Sequence, residues 1–255
     1  MTDRNIVLFG ASRGIGRALA EEYGASDTRL VLCSRDFDAL EELCAGIATR
    51  GGTAWPLRCD VTDPDDMRRA VDSAREHLGT IDLVIFNAGI DAASWMKDVR
   101  TGDWHRIHET NVIAMVSAME RVFPVLIEQG RGVFAGVGSL ADVRGFPGSG
   151  AYCASKAAVA RLLESARVEM RSHGVQILTV RPGFVRTDMT AKNEFHMPFL
   201  LSPGRAARII RRGIAKRKRV ISFPLRLVLL TRLVGILPAR LFDMLAARAR
   251  PEQRA

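Results

Sequence analysis

The sequence predicts an α/β fold, a doubly wound parallel seven-stranded sheet with a C-terminal helical extension. Two observations carry this. Short apolar, β-rich runs alternate with helical patterns along most of the chain, the order that βαβ units give. The runs are apolar nearly throughout rather than on alternate residues, as strands covered on both faces are.

Taken in order, strands are expected at Ile6–Phe9, Leu30–Cys33, Ala54–Cys59, Leu83–Phe86, Gly132–Val137, Val175–Val180 and Val220–Phe223. Helices are expected over 14–24, 36–49, 64–78, 103–128, 151–172 and 203–216. Several begin at Asp, Ser or Pro and end at Gly, as Thr62, Pro64 and Gly79 do around the third, which are ordinary start and stop signals. A chain of 255 residues, 47% hydrophobic and 25% charged, is long enough for one large globular domain and too polar for a multi-span membrane protein. Disorder is excluded on the same grounds. Four cysteines with no CxxC pair and no histidine partner give neither a disulfide framework nor a zinc site. His105, His108 and Glu109 share a helical side but lack a matching ligand pair, so no metal is expected. With no secretory pattern after Met1, a cytoplasmic location is expected, with peripheral contact on the inner membrane face left open.

The net charge is +9, yet residues 205–255 hold fourteen Arg or Lys and only two acids, Asp243 and Glu252. The rest of the chain is mildly acidic. A charge-driven partner is therefore expected at the C-terminal end. Nucleic acid is not expected, because the basic cluster lacks interleaved aromatics and no recognition module is visible.

Doubly wound sheets bind ligands beyond the carboxyl ends of their strands, and five strand ends here carry chemistry. The first runs into Gly10-Ala11-Ser12-Arg13-Gly14-Ile15-Gly16 and a helix. Glycines let the backbone approach a diphosphate, and a helix start offers it unpaired N–H groups; simple strand-to-helix packing is the alternative. The second ends at Cys33-Ser34-Arg35, where Arg35, with Arg13 from the glycine turn, suits a ribose 2′-phosphate and favours NADP(H) over NAD(H); a solvated surface arginine is the alternative. After the third, Asp60 and Val61 can contact an adenine, although Asp60 reads nearly as well as a helix-start residue. The fourth stops at Asn87-Ala88-Gly89, small residues that would let a cofactor lie against the backbone. Beyond the fifth comes Ser139, and then Tyr152-Cys153-Ala154-Ser155-Lys156 opens a helix. Residues four apart share a helix face, so the Lys156 ammonium is expected beside the Tyr152 phenol, lowering its pKa. The chain has only two tyrosines, which makes this spacing informative.

Together these residues resemble the short-chain dehydrogenase/reductase family in its roughly 250-residue form, over about residues 5–190. GASRGIG, CDV, NAG, Asn111, Ser139, YCASK and the segment Arg181-Pro182-Gly183-Phe184-Val185-Arg186-Thr187 occur in the family's order. The resemblance implies a Rossmann fold and a nicotinamide-dependent oxidoreductase acting on a small-molecule carbonyl or alcohol. It implies Tyr152 as acid/base, Lys156 as the group that lowers its pKa and binds the nicotinamide ribose, Ser139 as the orienter of the substrate oxygen, and Asn111 as the holder of a relay water. Pro182, Gly183, Val185 and Thr187 would bracket the nicotinamide. Phe9, Phe86 and Gly138 depart from the family's usual Thr, Asn and Ser without removing a catalytic group. Residues 1–190 are then expected to form the dinucleotide-binding core with the catalytic residues. Residues 191–255 would be the substrate lid, last strand and basic apolar C-terminal helices of the same domain.

From Met189 to Leu201 the chain carries Phe195, Met197, Pro198, Phe199 and Leu200, which suggests an apolar substrate or simply a lid packed on the core. Lys216-Arg217-Lys218-Arg219 then leads to an apolar run, Leu225 to Leu237, between two prolines. At about 20 Å as a helix it is too short for a hydrocarbon core of about 30 Å. Three burials stay open: over the chain's own active site, in a homodimer or homotetramer, or in a membrane interface. Two other functions are set against an enzyme, a regulator that binds NADPH without turnover and a scaffold recruited to membranes by the tail. The joint presence of Asn111, Ser139, Tyr152 and Lys156 favours the enzyme.

Overall fold

The computed structural model describes residues 4–24, 27–191 and 195–248. Part of the expected lid, 192–194, and the last residues of the basic tail, 249–255, lie outside the described residues.

Seven strands form one parallel sheet: β1 (Asn5–Phe9), β2 (Arg29–Ser34), β3 (Thr53–Arg58), β4 (Leu83–Phe86), β5 (Gly132–Val137), β6 (Val175–Pro182) and β7 (Val220–Phe223). Their order is β3-β2-β1-β4-β5-β6-β7. The chain winds outward from β1 in one direction and returns to wind the other way from β4. A crevice therefore opens above the carboxyl ends of β1 and β4, where the two directions part.

Successive side chains on a strand point to opposite faces, and both faces here are apolar. Ile6, Leu8, Leu30 and Leu32 pack under α1 (Gly14–Gly24), α2 (Phe37–Ala48) and α8 (Pro203–Ala215). Val7, Phe9, Val31 and Phe86 pack under α3 (Pro64–Leu78), α5 (Ala114–Glu128) and α6 (Gly150–Glu169). The continuous apolar runs are thus the expected consequence of a sheet with helices on both sides.

Helix starts follow the side-chain signals. The Asp36 carboxylate accepts from Ala39 N at 3.2 Å, and Asp63 caps α3 by accepting from Asp65 N and Asp66 N, with Pro64 at the first helical position. The expected single helix over 103–128 is instead α4 (Thr101–His108), a π-helical turn over Glu109–Ile113, and α5. Asn111 stands in that turn. After α6 a short 3₁₀ turn, Met170–His173, leads to β6, and α7 (Asp188–Ala191) follows it. The C-terminal region adds α9 (Leu225–Ile236) and α10 (Ala239–Arg248) beyond β7.

Candidate active site

The glycine turn joins β1 to α1 in a conformation that its sequence makes accessible. Gly10 has φ +79°, and a Cβ there would stand 2.8 Å from the backbone of Ala88. Gly16 is closer still: a Cβ would be 1.9 Å from Gly10 O. Asn87 Nδ2 donates to Gly10 O at 2.9 Å, and Gly10 N donates to Cys33 O at 2.8 Å. The turn, the end of β2 and Asn87-Ala88-Gly89 thereby form one floor. The first intrahelical bond after Gly10 runs from Arg17 N to Arg13 O at 3.2 Å, so the N–H groups of Gly14, Ile15 and Gly16 stand at the helix start, available to an anion. Gly14 lies against Thr187, whose Cγ2 would be 3.0 Å from a Cβ there. The segment after β6 thus faces the glycine turn across the crevice, while Gly183 N is held by Phe223 O at 2.8 Å and Val185 bridges to Leu201.

At the far end of this floor Arg35 is exposed, with Nη1 3.7 Å from Asp60 Oδ2. Asp60 also accepts from Thr62 N and Thr62 Oγ1, at 3.0 and 2.8 Å, and these bonds help hold its carboxyl below the usual range against the burial that raises it. Ser12 Oγ accepts from Ser34 Oγ at 2.8 Å. Arg13 is exposed and Val61 half-buried beside them. Asp60 thus steadies the turn before α3 and faces the arginine after β2, while the helix itself is capped by Asp63.

The near end is built by α6 and the π-helical turn. Tyr152 and Lys156 sit one turn apart, and the Lys156 Nζ lies 5.7 Å from the centroid of the Tyr152 ring. Ser139 follows β5, and its hydroxyl acts on the Tyr152 phenol to favour the ionised form. Lys156 is buried and donates to Val137 O at 3.1 Å. Asn111 is fully buried; its Oδ1 accepts from Ile90 N at 2.8 Å, and its Nδ2 donates to Ile90 O at 2.9 Å and to Ser155 Oγ at 3.0 Å. A Cβ on Gly89 would stand 3.2 Å from Asn111 Oδ1 and 3.3 Å from Lys156 Nζ, so Gly89 keeps the space between them open. Four side chains from three separate segments thus gather beyond β4 and β5. A π turn, which slips the helical hydrogen-bond register, is a common device at functional sites.

A family model described as short chain dehydrogenase matches residues 4–197. The chain belongs to the short-chain dehydrogenases. As a member of that family it is an oxidoreductase that binds a nicotinamide cofactor. An uncharacterised oxidoreductase of Myxococcus xanthus is 35% identical over 253 residues, 98% of this chain and 99% of its own. The mouse 3-oxoacyl-[acyl-carrier-protein] reductase is 30% identical over 188 residues, covering 74% of this chain and 78% of that one. Among solved structures, a short-chain dehydrogenase/reductase from Burkholderia phymatum in complex with NAD superposes with a TM-score of 0.85 at 22% identity, covering 100% of this chain and 99% of that one. One from Mycobacterium marinum gives 0.77 at 28% identity, covering 86% and 92%.

In this short-chain dehydrogenase the electrostatics depart from the sequence expectation at one point. The Tyr152 phenol is pushed up from its ordinary value, first by burial and then by nearby acids with Asp91 foremost, while the Ser139 hydroxyl opposes the rise. Burial also pulls the Lys156 ammonium down to about 8, with Asp91 holding it up. Desolvation is the first cause of both shifts, with Lys156 buried and Tyr152 half-buried. Asp91 itself stands at the rim beside Ile90, and partial loss of water around its carboxyl raises it, against the lowering effects of Ala92 N–H and Lys156.

Two functional features escaped the sequence. Asp91 is one, although its place immediately after Asn87-Ala88-Gly89-Ile90 was a signal. The other is the pair of Arg181 with Asp142: Nε donates to Oδ2 at 2.7 Å and Nη2 to Oδ1, with the Asp142 side chain only 4% exposed. It ties the turn that follows Ser139 to β6, and nothing in the local pattern pairs positions so far apart. Among the described residues no group of His, Cys, Asp and Glu could hold a metal ion.

Proposed function

We propose that this protein is an NADP(H)-dependent reductase that converts a ketone or aldehyde to an alcohol and catalyses the reverse reaction, on an apolar substrate. The observation that carries the reading is the gathering of Ser139, Tyr152 and Lys156 around one small volume beyond β5, backed by Asn111.

The residues fit the cofactor. Gly10, Ser12, Arg13, Gly14, Ile15 and Gly16 would hold the diphosphate at the start of α1, Arg35 and Arg13 the 2′-phosphate, and Asp60 and Val61 the adenine. Asn87, Ala88 and Gly89 would form the floor, and Pro182, Gly183, Val185 and Thr187 the wall around the nicotinamide. When bound, the reduced nicotinamide supplies a hydride to the carbonyl carbon. Tyr152 Oη gives its proton to the substrate oxygen as negative charge develops there, and Ser139 Oγ steadies that oxygen by hydrogen bonding. Lys156, still charged at neutral pH with a pKa of about 8, stabilises the phenolate that Tyr152 becomes. Asn111 Oδ1 keeps a second lone pair for a water that returns the proton. The phenol's raised pKa keeps it protonated and so ready as an acid.

Arg35 supports the phosphate-bearing cofactor because it is exposed at the end of β2 and the next acid, Asp36, is occupied in capping α2. Phe195, Phe199 and Met189, each about two-fifths exposed around the segment after α7, support an apolar substrate. A cytoplasmic homodimer or homotetramer belongs to the same proposal; Ile113, Val116 and Val168 are exposed apolar side chains that a subunit contact would cover.

The test is NADPH and NADH oxidation against long-chain keto compounds, polycyclic ketones and small diketones. Turnover of an apolar carbonyl with preference for NADPH is expected, and Arg35→Asp should reverse that preference by at least about tenfold. NADPH binding without turnover on any carbonyl would favour the regulator, and discrimination unchanged in Arg35→Asp would assign the 2′-phosphate to another residue.

A further inference from the structure

The C-terminal helices carry an apolar surface that a soluble reductase does not require. One side of α9 is turned inward: Leu227 and Val228 are buried with Leu140, the neighbour of Ser139, and with Phe184. A Cβ on Gly183 would strike Leu227 Cδ2 at 2.4 Å. Arg144 fixes the other end, donating Nε to Val234 O at 3.3 Å and Nη2 to Leu237 O, while its guanidinium lies 5.0 Å from the Phe242 ring of α10. These contacts set the rotation of α9 about its axis and so decide what its outer side presents.

At about 100° per residue, Leu225, Ile236, Leu229 and Leu233 fall in one sector of about 80° on the side away from Leu227 and Val228. They are 70%, 78%, 56% and 57% exposed, and Leu230 beside them is 46% exposed. Together they form an exposed apolar stripe rimmed by charged residues, the pattern that marks interaction sites. Exposed Leu241, Met244 and Leu245 continue it on α10.

Charge decides the partner. Arg226 and Arg232 flank the leucine sector on either side, Arg240 and Arg248 are exposed on α10, and Asp243 is the one acid between Leu225 and Arg248. Two copies of this face would bring arginines together. An anionic bilayer would instead pair them with phosphates while their aliphatic stems and the leucines enter the acyl boundary. Lys216–Arg219 lies before β7, at the other end of that strand, and is not part of the face. Twelve residues of α9 reach about 18 Å, too short to span a core of about 30 Å, so the helix would lie in the interface.

We propose that α9 and α10 dock this protein on the surface of an anionic lipid bilayer, with the Leu225–Leu229–Leu233–Ile236 stripe inserted at the headgroup boundary and Arg226, Arg232 and Arg240 on lipid phosphates. The inference stands apart from the reductase reading, since docking needs neither cofactor nor substrate. The experiment is co-sedimentation of the full chain with vesicles of phosphatidylcholine alone or in equimolar mixture with phosphatidylglycerol, at low and high salt, with light scattering for mass. The wild type is expected to bind the anionic vesicles at least about tenfold more than the neutral ones, and less at high salt. Leu229→Glu with Leu233→Glu should reduce binding about tenfold at unchanged mass. Arg232→Glu with Arg240→Glu, which keeps the stripe intact, should abolish the anionic preference and serves as the test if the leucine variant unfolds. Sedimentation independent of anionic lipid, binding retained in both variants, or a wild-type oligomer that dissociates in the leucine variant would overturn the proposal, the last by assigning the face to a second copy.

Discussion

Asp91 and Lys156 set the charge of the site from opposite directions. Burial draws the ammonium down, and the carboxylate at the rim holds it up while also raising the Tyr152 phenol. Removing that carboxylate therefore moves both groups the same way. In Asp91→Asn the upper limb of the pH–rate profile for reduction, where Lys156 gives up its proton, should shift to lower pH; an unmoved profile would show that Asp91 does not act on the pair. Lys156 also has a stability signature. Below pH 8 it is charged in folded and unfolded chains alike, so the folded chain bears the full desolvation penalty; from pH 8 to 10.5 the folded chain loses the proton first and the penalty fades. Stability should thus rise with pH across that window. Lys156→Met should stabilise the cofactor-free chain at pH 7 by about 2–3 kcal/mol while removing turnover, and the gain should shrink towards pH 10.5. Denaturant unfolding at the two pH values checks this, and a destabilised Met variant at pH 7 would contradict it.

Among elements, the turn after β5 has the most demanding task, because Ser139 must meet a tyrosine that arrives on the following helix. Ser139 Oγ accepts from Ala141 N at 3.1 Å, and Asp142 three residues on is clamped by Arg181 of β6. Breaking one member of a buried ion pair leaves the other unpaired, at about 3 kcal/mol. Asp142→Ala should therefore lower the melting temperature by several degrees and reduce kcat, whereas a variant with wild-type stability and turnover would make the clamp incidental. The long helix carrying Asn111 shows why some elements were not legible. A π turn changes the hydrogen-bond register but leaves an apolar sequence that reads as one uninterrupted helix from 103 to 128. In contrast Tyr152 and Lys156 were legible together because both lie on one ordinary helix, where spacing alone puts them on the same side.

Over the whole molecule, the alternation of strands and helices was enough to anticipate the sheet, since each apolar run had to be covered on both faces and several boundaries carried a Gly, Pro or Asp signal. What stayed out of reach were the groupings that only the winding of the chain creates. The charge of Asp91 acts on Lys156, and Asp142 meets Arg181, because β4, β5 and β6 are neighbours in the sheet, and no local spacing records that. The direction of the Tyr152 shift was missed for a related reason: a helix wheel brings the ammonium near but says nothing of how much protein surrounds both. The resulting picture is a crevice at the reversal of the sheet, floored by glycines, with the Tyr152 phenol at its end. The most direct measurement is Tyr152→Phe, followed by NADPH fluorescence titration and by turnover of the best carbonyl substrate. The account predicts NADPH affinity within about threefold of wild type, because the ring and its packing remain, and turnover reduced by about 10³. Turnover within tenfold of wild type would contradict it.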